Sequence, residues 1–140
     1  MPIKKPTKQE ASQQLYDRLR ETSEIPVTES ADIFSKGLYV SEQGKREILI
    51  KQSLAIKEKL HVALHEYSHY VHLSHYFKQE SRAECELIAN GAAFVVCKEH
   101  ELNAKEVDLT KFTDDADTVT RLTDTIQSVA GHILVGLNQE

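Results

Sequence analysis

An α+β domain with helices packed on a small antiparallel sheet is predicted by three features of the sequence. Four stretches carry apolar residues at helical spacing, and two short β-rich runs lie between the first and second of them. The length of 140 residues suits one hydrophobic core and is short for two domains of ordinary size. Residues 1–7, with two of the three prolines, read as a loose tail, leaving residues 8–140 as a single domain.

From Lys8 to about Glu24, Ala11, Leu15, Tyr16 and Leu19 fall on one helical face, and Pro26 lies just beyond. GLYVS at 37–41 and EILIKQS at 47–53, joined by the turn-like EQGKRE, predict an antiparallel hairpin, with Ile33 and Phe34 as candidates for a third strand. Ser53 is placed to cap a second helix from Leu54, whose apolar positions are Ile56, Leu60, Ala63, Leu64, Val71 and Leu73. Ser81 to Leu102 opens with a Ser-x-x-Glu capping box, Ser81 and Glu84, and contains the small run Gly91-Ala92-Ala93 where another helix can approach closely. A last helix from Asp115 to Leu137 presents Val119, Leu122, Ile126, Val129, Ala130, Ile133, Leu134 and Leu137 as its inner stripe.

Composition excludes several function classes. Hydrophobic residues make up 40% and charged residues 28%, and no apolar run approaches the roughly 18 residues of a membrane span. No apolar segment follows the basic residues of MPIKKPTKQE, so no secretory signal is expected and cytoplasmic residence follows. The formal charge of −5 argues against nucleic acid as the main partner, and its 17 interspersed basic residues argue against mimicry of DNA. Cys85 and Cys97 share one predicted helix about 18 Å apart, too far to pair, and read as free thiols.

The chemistry concentrates in LHVALHEYSHYVHLSHYF, residues 60–77, which holds five of the seven histidines at 61, 65, 69, 72 and 75. His65-Glu66-Tyr67-Ser68-His69 spells H-E-x-x-H. On a helix, residues i and i+4 share a face, so both imidazoles can bind one ion while Glu66 projects about 100° round, where a catalytic base would stand. A catalytic zinc site typically takes a third protein ligand. His75 has the outer spacing of the longer H-E-x-x-H-x-x-G-x-x-H motif, but His72 replaces the glycine that turns that chain, and the only methionine is Met1. Two acids on the next helix compete with it. Glu84 is occupied by the capping box, whereas Glu86 is expected among apolar neighbours where an unpaired carboxylate would be costly, so Glu86 is favoured.

HEYSHYVH followed by E86-L-I-A-N-G-A-A-F-V-V-C97 resembles the ImmA/IrrE metallopeptidase family, whose pattern is H-E-x-x-H and then E-x-x-A-N on the next helix. The tail AAFVVCKEHEL is similar to the related zincin-like domain of ArdC-type antirestriction and LtrC-type plasmid proteins. The resemblance covers roughly residues 37 to 100. It implies a zincin-like fold with His65, His69 and Glu86 as zinc ligands and Glu66 as catalytic base. It also implies a protein or peptide substrate, a repressor or defence protein, in a mobile-element setting. The chain departs from these relatives in lacking a recognisable DNA-binding domain.

Around this set, Asn90 follows Glu86 by one turn and is placed to hydrogen-bond a ligand, while His61 and Tyr67 are further candidates to support the site from outside the ligand set. His72, His75, His100 and His132 read as structural. Two functions compete: a zinc metallopeptidase, and a zinc-stabilised regulatory or binding module with little or no proteolysis. Glu66 favours the first, because a structural zinc site has no use for a base.

Overall fold

A computed structural model describes residues 5–139. Over the described residues the protein is α+β, with four α-helices and a three-stranded sheet. Helix α1 spans Lys8–Thr22, β1 Val27–Ser30, β2 Gly37–Glu42, β3 Lys45–Lys51, α2 Ile56–Val71, α3 Arg82–Glu99 and α4 Ala116–Leu137. The tail expected over residues 1–7 falls mostly outside the described residues, and Thr7 already acts as N-cap of α1 in a capping box with Glu10.

The sheet order is β1-β3-β2. β2 and β3 form the expected hairpin, but its turn is tighter than EQGKRE suggested: Gln43 and Gly44 both take positive φ, 49° and 82°, as a two-residue hairpin turn requires. The third strand is not at Ile33 and Phe34. Phe34 is fully exposed, and the strand is instead β1, pairing parallel to β3 from Val27 opposite Ile48. The sheet is therefore mixed rather than antiparallel. A four-residue parallel strand with one buried apolar side chain, Val27, leaves almost no alternating pattern to read.

Helix α2 is the hub, touching α1, α3, α4, β2 and β3. Its N-cap is Ala55, without a side-chain cap, so Ser53 does not fill that role. The chain then continues from α2 into a π-helical turn, His72–Tyr76. His72, the first residue of that turn, is buried completely, while Leu73, expected in the core, is 43% exposed.

Helix α3 starts at the Ser81–Glu84 capping box, and its Gly91-Ala92-Ala93 run is buried. A Cβ on Gly91 would stand 2.6 Å from Ile126 Cδ1, so the missing side chain is what admits α4. Helix α4 is capped by Asp115 and buries Leu122, Ile126, Val129, Ala130, Ile133 and Leu137 of its expected stripe, with Val119 and Leu134 half-buried. Both cysteines are free. Among the described residues, no helix is long and apolar enough to cross a membrane.

Candidate metal centre

Helix α2 carries His65 and His69 one turn apart, and their rings meet edge-on with Nε2 atoms 3.2 Å apart. Glu86, from the second turn of α3, reaches across to both: Oε1 lies 2.9 Å from His69 Nε2 and Oε2 lies 3.3 Å from His65 Nε2. Asn90, one turn further along α3, places Oδ1 2.8 Å from His65 Nδ1. An amide oxygen only accepts, so Nδ1 is the nitrogen of His65 that donates to Asn90, and Nε2 is the one turned toward Glu86.

This donor set fits a metal such as zinc. Ligand atoms held tetrahedrally at about 2.0–2.1 Å from one ion stand about 3.3 Å from each other. The two Nε2 atoms stand 3.2 Å apart and each lies within 3.3 Å of one Glu86 oxygen, Oε1 for His69 and Oε2 for His65, distances near that spacing. The Asn90 contact is of the kind that fixes the orientation of an imidazole where a histidine does bind a metal.

Glu66 is next to His65 on the chain and faces the same groove. Burial raises its carboxyl above the ordinary range, the neighbouring His65 opposes the shift, and the charge of Glu86 adds to it. Burial, followed by the neighbouring His65, lowers the His69 pKa, favouring the neutral imidazole that a metal requires.

The groove has a volume of about 690 Å³. The start of β2 and the middle turns of α2 form one wall, α3 from Leu87 to Phe94 another, and the segment 104–108 closes the far side. Gly37 gives β2 its close approach to the motif: a Cβ there would lie 2.2 Å from Val62 Cγ1 and 3.5 Å from Glu66 Cγ. β2 is also an edge strand, with one side paired to β3 and the other open. The stretch 47–53 contributes the central strand β3, which is paired on both sides and offers no open edge.

The other sequence candidates separate cleanly. His61 lines the groove beside His65 and Glu66. Tyr67 faces the opposite side of α2, where its hydroxyl accepts the Glu24 backbone N–H at 3.0 Å and its ring stacks on Tyr70. His75 is turned away toward Glu24. Glu84 binds the Ser81 backbone and Arg121, and has no contact with the histidines. Glu86 differs from expectation in its surroundings: its side chain is 55% exposed, so the cost of burial does not account for it. What brings it to the histidines is the packing of α3 on α2.

Sequence reasoning read His72 as structural but did not find its partner. Its Nε2 meets Glu80, both side chains are withdrawn from solvent, and this pair fixes the segment leading into α3. The signal was present, since His72 follows Leu60, Leu64 and Ser68 at four-residue intervals along the buried stripe of α2.

Comparison of the chain with models of known families, with curated proteins and with solved structures gave no match in any of the three.

Proposed function

We propose that the protein is a zinc-dependent metallopeptidase of zincin-like architecture, with His65, His69 and Glu86 as metal ligands and Glu66 as general base. The observation that carries this reading is that two helix-borne imidazoles and one carboxylate bring ligand atoms within 4.8 Å of one another, with Glu66 lining the groove that His65 also lines. The E-x-x-A-N resemblance independently selects the same third ligand.

Zinc held by these residues would supply a Lewis acid that acidifies water and polarises a carbonyl. Glu66 accepts the attacking water's proton on its carboxylate and delivers it to the departing amine. Asn90 holds His65 in the tautomer that leaves Nε2 free. The open edge of β2 offers backbone N–H and C=O groups to an extended peptide, placing it along the groove past Glu66. A protein substrate with a flexible segment suits such an edge better than a compact small molecule. The resemblance points to a regulator or defence protein of a mobile element, met in the cytoplasm.

The test is to incubate the full chain with candidate regulator and defence proteins, with and without chelator, and to compare Glu66→Gln. Cleavage should require metal and vanish in Glu66→Gln while bound zinc persists. Full activity in Glu66→Gln would overturn the mechanism. Zinc-dependent stability with no cleavage of any partner would replace it by the binding-module reading.

A further inference from the structure

A second constellation lies on the other side of the motif helix. Glu24, just past the end of α1, faces His75 from the π-helical turn and His132 from α4, residues separated by 51 and 108 positions in the chain. His75 Nε2 stands 2.9 Å from Glu24 Oε1 and His132 Nε2 stands 2.7 Å from Glu24 Oε2. The two rings stack with centroids 4.7 Å apart, and one donor atom from each of the three residues lies within 4.8 Å of the others.

We propose that Glu24, His75 and His132 form a second site for a divalent transition-metal ion of zinc's type, separate from His65, His69 and Glu86. Two imidazoles and a carboxylate are a ligand set suited to zinc, and both histidines present Nε2 toward one carboxylate. The groups behind them are organised as supports of a metal site would be. The Tyr76 hydroxyl lies 3.2 Å from His132 Nδ1, and this hydrogen bond holds the imidazole with Nε2 toward Glu24. The Tyr70 hydroxyl donates to Glu24 Oε1 at 3.1 Å, and Tyr67 holds the Glu24 backbone N–H. Three segments distant in sequence are thus drawn together on preset side chains.

The π-helical turn is what makes the site. By widening the helix after Val71, it brings His75 between the end of α1 and α4. His75 and Glu24 remain about 40% exposed, so an ion can enter from solvent without unfolding. An ion there clamps α1 and α4 across the end of α2, and its role is to hold the helical layer together.

Metal content of the full chain after equilibrium dialysis against zinc, together with thermal unfolding, tests this. The parent should bind two zinc ions per chain, and Glu86→Ala and His75→Gln/His132→Gln should each bind one. Zinc should still raise the Tm of Glu86→Ala, and Glu24→Gln, which keeps the hydrogen-bonding shape, should weaken the second ion at least tenfold. One zinc in the parent that Glu86→Ala removes, with no rise in the Tm of that variant, would overturn the second site. One zinc that survives Glu86→Ala and is lost in His75→Gln/His132→Gln would uphold it and count against the ligands of the first. Two ions retained by a folded His75→Gln/His132→Gln variant would also overturn it, as would two ions in Glu24→Gln with unchanged affinity.

Discussion

His72 and Glu80 meet inside the protein, imidazole Nε2 to carboxylate Oε1, with 0% and 1% of their side chains exposed. Glu80 Oε2 also accepts the Lys78 backbone N–H at 2.9 Å, while His72 Nδ1 is buried without a partner. The pair joins the π-helical end of the motif helix to the segment that launches α3, so it sets where Glu86 begins its reach toward His65 and His69.

Removing one partner of a buried pair leaves the other uncompensated and costs about 3–5 kcal/mol. Glu80→Ala should therefore lose roughly that much in urea unfolding, and bind zinc more weakly although it touches no ligand. Glu80→Gln keeps an acceptor for His72 and should lose less. Parent-like stability in Glu80→Ala would show that the pair does not position α3.

Asn90 is exposed and carries little of the fold, yet it fixes the His65 tautomer. Asn90→Ala should reduce zinc affinity by about 10–100-fold with stability nearly unchanged. Competition with a chromogenic chelator measures the first and thermal unfolding the second. Asn90→Asp retains an acceptor and should bind zinc at least as well as Asn90→Ala.

Gly37 marks where the edge strand meets the motif helix. Gly37→Ala drives a methyl into Val62 Cγ1 and should cost about 1–3 kcal/mol. Adding Val62→Ala removes the obstruction, so the double variant should recover part of that loss relative to Gly37→Ala alone. Additive losses in the two variants would place the cost elsewhere.

Glu29 supplies a pH-dependent contribution away from both clusters. Burial pushes its carboxyl upward, but hydrogen bonds from Lys59 and Tyr16 and the charges of Lys59 and Arg20 outweigh this and hold it below its ordinary range. Because the folded pKa is the lower one, the stabilisation is complete above the unfolded value of about 4.3 and is lost as pH falls through the folded value. The parent should exceed Glu29→Gln in Tm at pH 7, and the gap should narrow below about pH 4. A gap that widened on acidification would reverse the sign assigned to Glu29.

Helices were the readable part of this chain, and the reason is local. The capping box of Ser81 and Glu84 and the apolar stripe of α4 need only neighbours three or four positions away. The H-E-x-x-H pair is equally local, since one helical turn stacks His65 over His69 whatever surrounds it. Glu86 is a mixed case. Spacing and resemblance pointed to it, but the burial expected to single it out is absent, and its exposed carboxylate is brought to the histidines by helix packing.

What the sequence determined by itself was thus helix placement, the hairpin and the pairing of His65 with His69, because each rests on interactions within a few residues. Tertiary structure decided the parallel strand β1, the π-helical turn and the meeting of Glu24 with His132 across 108 positions. Those features depend on which surfaces pack together, and strand pairing and helix packing join residues whose separation along the chain leaves no periodic trace.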